Sequence, residues 1–431
     1  MACNSVFKPA DLDRPGACVP PANGIRSAHT ESKYGMGRQL LPHDRPSFGF
    51  GRRLYAKRFT TQHLLGALAP FLIAAVYRLG GDFVVREVWA VLGACLVLVI
   101  YELARLKHAL TASNLAAMAT AIYPYNIIVG ASTSTEIPNN LLLLLLILNF
   151  IMWRQSHRLR FALIAGLALG LATLNRPAGV VFLPVMALFF LFDNSATSKR
   201  SSIFAAAAFV LVTCLVVSPW VVRPSRLTGT FCMVTTGGPW NLWFGNNPWL
   251  QDYMTGKIDV DQIKAHLNSV VLPDQHSQKE WDSAYLHGLR QFVLSQPLTE
   301  AHLFVFKTMQ LWRIPGITST ATHASVKPLH WAILLVGFLS YVPLMICGVI
   351  DTAFLMWKSR VREISIYLFW ILVIYASYIW FPAVNRFRFA GAIDNLMIIS
   401  CVVPISILLL EHADLAQGVD QRLVPISETS S

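Results

Sequence analysis

Apolar stretches separated by short polar joints dominate the chain from residue 64 onward. Runs at 64–79, 88–106, 115–129, 137–153, 159–174, 178–192 and 202–222 precede a long mixed segment, and runs at 329–350, 364–381 and 392–410 follow it. Most approach the ~20 apolar residues that a helix needs to cross a bilayer. They predict nine or ten membrane segments. The first run is short, interrupted by Pro70 and ended by Gly80-Gly81-Asp82, and fits either a tilted span or an interfacial helix. The pattern divides the chain into an irregular basic segment (1–59), an N-terminal transmembrane bundle (60–222), a loop domain (223–328), C-terminal transmembrane helices (329–410) and a polar tail (411–431). Within the loop domain, residues 279–311 carry a helical pattern broken by Pro297.

Composition sharpens this picture. Of 431 residues, 55% are hydrophobic and 13% charged, against about a quarter charged in ordinary soluble domains. The expected class is an all-α, polytopic integral membrane protein. The net charge of +12 does not make a nucleic-acid partner, because the basic residues sit in short joints between apolar runs and in the first sixty residues. The partner it implies is anionic membrane lipid. Seven scattered cysteines and twelve histidines show no CxxC, HExxH or paired ligand spacing. No metal site and no cofactor are expected.

The positive charges also set orientation. Arg105 and Lys107; Arg154, Arg158 and Arg160; Lys199 and Arg200; Lys358, Arg360 and Arg362 fall on one side when the spans alternate. That side is expected to face the cytoplasm of a multi-pass plasma (inner) membrane protein, which makes the loop domain extracytoplasmic. The outer joints are otherwise poor in cations, yet hold Arg176, Arg223, Arg386 and Arg388 near span ends. A guanidinium fork matches phosphate oxygens, so these four are candidate ligands of a phosphate headgroup; snorkelling to ordinary lipid explains any one of them equally well. Glu136 in STEIP reads either as a helix-start acid before Pro138 or as a ligand contact.

The joint from Ser218 to Trp249 is the most informative stretch. The apolar run is expected to leave the membrane through Pro219-Trp220 and Arg223-Pro224. A Gly/Pro-punctuated loop follows, in which Trp240, Trp243, Phe244 and Trp249 alternate with Asn241, Asn246 and Asn247. Aromatic faces stack on the C–H faces of sugars and amides serve their hydroxyls. A sugar-binding lid is the functional reading; an interfacial aromatic belt followed by turns is the plain one.

IYPYNIIVGASTSTE, GLALGLATLNRP, SPWVVRPSRLTGTF with TTGGPWNLWFGNNP, and NRFRFAGAIDNL occur in the order and spacing of bacterial GT-C membrane glycosyltransferases. The chain resembles relatives of the protein O-mannosyltransferases and aminoarabinose transferases, including the group acting on rhizobial lipopolysaccharide, from residue 64 to 410. The resemblance implies a GT-C-like helical bundle that moves a sugar from a polyprenyl-phosphate carrier to an extracytoplasmic lipid, glycan or protein acceptor, with inversion. It implies that Glu136 and Arg176 line the cavity, that Asn246 and Asn247 lie in its outer lid, and that Arg386 and Arg388 meet the carrier phosphate. Fixed guanidinium groups stabilise charge developing on a leaving phosphate, and the acceptor hydroxyl needs a carboxylate on the opposite face of the sugar.

The sequence departs from these relatives at its start. They open with a transmembrane helix and an Asp-bearing loop, whereas no apolar run precedes residue 64 here. Asp11, Asp13, Glu31 and Asp44 have no matching frame, with Asp44 in HDRPSFGF the nearest, so the catalytic carboxylate is unassigned. A transporter or lipid flippase and a non-catalytic remnant are therefore the competing readings. The first would call for internal repeats and midplane charges, which the sequence does not display; the second is motivated by the missing first span.

Overall fold

The computed structural model describes residues 68–106, 109–192, 198–271, 277–313, 327–357, 361–381 and 392–402. All of them belong to the unit that runs from Arg58 to Ser431. Among the described residues there are only helices and their connections.

The apolar runs become helices because a backbone without water must satisfy its own N–H and C=O groups. α1 (Leu68–Arg105) joins the first two runs across a kink at Gly80-Gly81, where Gly81 takes φ 69° and ψ −156°, a conformation open only to glycine. The third run is split by Pro124 into α2 (Leu110–Ile122) and α3 (Pro124–Gly130). α4 (Glu136–Ser156) and α5 (Leu159–Asn175) follow, with His157 in the left-handed region as the cap between them. A 3₁₀ turn (Pro177–Val181) leads into α6 (Phe182–Phe192), and α7 is Lys199–Thr228. α1, α4 and α7 are each long and apolar enough to cross a membrane; α2, α5, α6 with its 3₁₀ lead, Leu335–Ile350, Phe369–Tyr378 and Ile393–Val402 are shorter apolar helices.

The loop expected after Pro219 and Pro224 starts later, because both prolines lie inside α7, which stays helical to Thr228. Pro219 has no N–H to offer the Leu215 carbonyl, and Ser218 Oγ donates to that carbonyl instead at 3.3 Å. Side-chain hydroxyls that re-satisfy freed carbonyls are how membrane helices tolerate proline.

The membrane core draws on α1 to α7, on α14 (Val361–Tyr378) and on α15 (Ile393–Val402), with Phe150, Trp153, Phe182, Phe190, Phe209 and Trp370 buried together. α5 and α7 are bound along a close seam in which Thr213 Oγ1 donates to Gly166 O at 3.1 Å. α13 (Lys327–Trp357) completes the described bundle.

The loop domain has its own small core. The stretch read as a loop contains a helix, α8 (Gly238–Gly245), followed by α9 (Leu250–Met254), α10 (Val260–Asn268), α11 (Gln278–Ser295) and α12 (Pro297–Leu311). Asp259 and Ser277 form capping boxes at the starts of α10 and α11, which satisfy otherwise orphaned N–H groups. Trp243, Leu250, Ile263, Leu267, Tyr285, Phe292, Leu303 and Phe306 fill the interior. Much of the aromatic content of 240–249 therefore packs the loop domain.

Candidate functional site

Three helix ends meet at one place. α4 begins at Glu136, directly after Thr135. A carboxylate in the first turn is favoured by the helix dipole. α5 stops before Arg176, which sits in extended conformation (φ −138°, ψ 117°) ahead of Pro177, because a residue before proline is pushed out of the helical region. Arg176 Nη2 donates to Glu136 Oε1 at 2.7 Å, and both Nε and Nη2 reach Thr135 Oγ1, at 3.2 and 3.1 Å. The pair is buried, with side-chain exposures of 12% for Arg176 and 5% for Glu136.

The third contributor is the end of α14. Asn175 Nδ2 donates to Thr135 O at 2.8 Å and to Asn139 Oδ1 at 3.4 Å, and Asn139 Nδ2 donates to the Tyr378 hydroxyl at 3.3 Å. Two residues on, Trp380 O accepts from Asn246 Nδ2 at 2.8 Å. Asn246 Oδ1 in turn accepts from Lys307 Nζ at 2.5 Å, and Lys307 also donates to Gly245 O at 3.1 Å. The loop domain is thus fastened to the same bundle end that carries the Glu136–Arg176 pair. The approach there is so close that a Cβ on Gly245 would lie 2.7 Å from Trp380 O and 2.8 Å from Phe381 C.

Asn175 Oδ1 and Ser134 Oγ are buried at this end with no hydrogen-bond partner among the described residues. Buried polar atoms are nearly always satisfied, so these two leave capacity for water or a ligand. In the loop domain, burial lowers the Lys307 pKa, with Glu300 at 3.7 Å opposing the shift. Burial also raises that of Glu300, opposed by Lys307.

The sequence candidates therefore separate. Glu136 and Arg176 are in direct contact, and Asn246 is bound to their neighbouring helix end. Asn247 is fully buried: its Nδ2 donates to Trp243 O and Phe244 O at 3.0 and 2.9 Å, while its Oδ1 accepts from Trp249 N at 2.9 Å. Trp240 stacks on Phe244 with ring centroids 5.0 Å apart, and Asn241 is half-buried on the same helix. Arg223 belongs to a different contact, exposed over the Trp220 ring at 5.1 Å. Arg386 and Arg388 lie outside the described residues.

Sequence reading passed over Asn139, Tyr378 and Lys307, and took Thr135 only as a possible helix cap, whereas its side chain makes no cap bond and accepts from Arg176. It also passed over a second polar junction, where buried Asp394 on α15 accepts from the Tyr123 hydroxyl at 2.9 Å and Asn395 and Asn126 exchange amide bonds at 2.9 and 3.4 Å. The available signal was a polar residue inside an apolar run, which is costly unless it has a partner. Among the described residues no group of three His, Cys, Asp or Glu side chains could hold a metal ion.

No curated relative matches the sequence. Among solved structures, the chain is similar to the archaeal oligosaccharyltransferase AglB from Archaeoglobus fulgidus in complex with an inhibitory peptide and a dolichol-phosphate, at 16% identity and a TM-score of 0.46 over 85% of this chain and 44% of that one. The apo form of the Archaeoglobus fulgidus oligosaccharyltransferase gives 16% identity and a TM-score of 0.47 over 85% and 45% of the two chains. The chain thus spans less than half the length of those proteins. Residues 66–222, which contain both Glu136 and Arg176, match the family model of the dolichyl-phosphate-mannose-protein mannosyltransferases.

Proposed function

We propose that the chain is a membrane glycosyltransferase that takes a sugar from a polyprenyl-phosphate carrier and passes it to an acceptor, a lipid or glycan, on the extracytoplasmic side of the plasma membrane. The observation that carries this reading is the buried Glu136–Arg176 pair at the bundle end to which the loop domain is fastened. A guanidinium held in place there is suited to receive a lipid phosphate and to stabilise the charge it gains as the glycosyl bond breaks. Glu136 holds the Arg176 fork while Thr135, Asn175, Asn139 and Tyr378 hold both in place. Phosphate leaves without protonation, so this end needs no general acid. Trp240 and Asn241 are proposed to contact the sugar, with Asn246 and Asn247 keeping the shape of the helix that carries them; Arg223, Arg386 and Arg388 are proposed to add charge for the carrier.

The test is incubation of membranes containing the full-length protein with labelled polyprenyl-phosphate sugar. Transfer to a lipid or glycan, lost in Arg388→Ala, is the expected outcome. Absence of transfer, together with unchanged carrier binding by Arg388→Ala, refutes the reading. Vesicle uptake of the lipid with no covalent product would favour a flippase instead.

A further inference from the structure

α12 is amphipathic in an unusual way, because two of its sides are apolar. One side sends Leu303 and Phe306 into the loop-domain core and turns Lys307 onto α8. The other side, together with the end of α11, is exposed: Leu294 (69%), Leu298 (85%), Val305 (54%) and Met309 (59%), with Ala301 between them. Steps of three, four and four residues put Leu298, Ala301, Val305 and Met309 on one stripe of α12, and Leu294 is exposed at the end of α11 just before it. A stripe of this kind in water is a poor use of apolar surface.

Two observations identify what covers it. The last two turns of α12 rest on the end of α14: Phe304 packs edge-on against Tyr375 with centroids 6.5 Å apart, Thr308 is hydrogen-bonded to the Tyr375 hydroxyl, and Leu311 and Ile379 are buried together. Tyr375 lies within the apolar stretch Phe369–Tyr378, whose Leu372 is itself 63% exposed. The end of α12 that bears the stripe thus rests on an apolar helix that itself keeps apolar surface exposed. Charge points the same way. The acid of α12, Glu300, is drawn to buried Lys307 at 3.7 Å, while Arg290 is exposed one helical turn before Leu294. A cation beside an apolar stripe suits a phospholipid surface.

We propose that α12 lies in the outer leaflet along the membrane plane, with Leu298, Val305 and Met309 among the acyl chains and Arg290 at the headgroups, so that the bilayer itself docks the loop domain. This membrane dock does not depend on sugar transfer. It is tested by placing the photoreactive residue p-benzoylphenylalanine at Leu298, Val305 or Met309, one at a time, in the full chain reconstituted into phospholipid nanodiscs. Exposed Lys264 on α10 serves as the aqueous control. All four positions are exposed, so the substitutions leave the fold intact. Expected is a phospholipid adduct, read by mass spectrometry, at least about tenfold more abundant at the three stripe positions than at Lys264. Lipid adduct at the stripe no greater than at Lys264 overturns the proposal, and so does cross-linking into a second copy of the chain or into another protein.

Discussion

Removing either member of the Glu136–Arg176 pair is the most informative perturbation. The oxygen and nitrogen are 2.7 Å apart with 5% and 12% of the two side chains exposed. At an effective dielectric near 20 their attraction is about 6 kcal/mol, and the cost of desolvating two ions offsets much of it. The intact pair is therefore worth little net, whereas stranding one charge costs about 3–5 kcal/mol. Glu136→Gln and Arg176→Met should each lower stability by that amount, while the double variant should fall within about 2 kcal/mol of the wild type because no charge is left buried. Reversible unfolding in mixed micelles titrated with sodium dodecyl sulfate measures all four corners of the cycle. A coupling energy of at least about 4 kcal/mol follows from these losses. Single losses below about 0.5 kcal/mol that simply add would describe a solvated surface pair, and the buried site would not exist.

Further outcomes follow from the attachment of the loop domain. Gly245→Ala drives a Cβ into the backbone of Trp380 and Phe381, so it should loosen the loop domain from α14; faster hydrogen exchange in residues 238–254 is the readout, and unchanged exchange would contradict the contact. The Lys307 pKa is lowered and its unfolded value is 10.5. Its contribution to stability is therefore present above the unfolded value and lost as pH falls through the folded one. Loop-domain stability should thus rise on the alkaline side of neutrality, and Lys307→Met should flatten that rise; a rise of equal slope in the variant would assign it elsewhere. Glu300, with its pKa raised above 4.5, contributes stability that is present below 4.5 and lost as pH rises through the folded value; Glu300→Gln should remove this acidic-side trend. Tyr123→Phe leaves the Asp394 carboxylate without the 2.9 Å bond it accepts, and should cost about 1–3 kcal/mol, measured in the same micelle unfolding experiment.

Sequence pattern was a good guide wherever one element depends only on its own residues. α4 and α5 begin and end within a few residues of the apolar runs at 137–153 and 159–174, since apolar runs in lipid have no backbone alternative to helix. The α11–α12 break at Pro297 was legible for the same local reason. It failed where a distant or unexpected partner decides. Pro219 and Pro224 looked like the start of a loop, but Ser218 donates to the carbonyl that Pro219 frees and the helix runs on to Thr228. The indole and amide residues of 240–249 looked like a loop surface; Trp243 and Asn247 are buried there, because helices α10 to α12 supply a core that sequence alone does not bring near them. At the site, Glu136 and Arg176 could be named from charge in an apolar setting, but their contact, and the role of Tyr378 some two hundred residues away in the chain, is a product of packing between α4, α5 and α14.

The central claim is that the end of the bundle holding Arg176 receives a lipid phosphate. Binding of a polyprenyl phosphate to the purified full-length protein in nanodiscs, followed by native mass spectrometry, tests it most directly. The wild type should retain the lipid, Arg176→Lys should hold it at least about tenfold less well because the planar fork is lost, and the paired Glu136→Gln, Arg176→Met variant, which keeps its fold, should not hold it. Equal retention by all three would place the lipid phosphate elsewhere and contradict the claim.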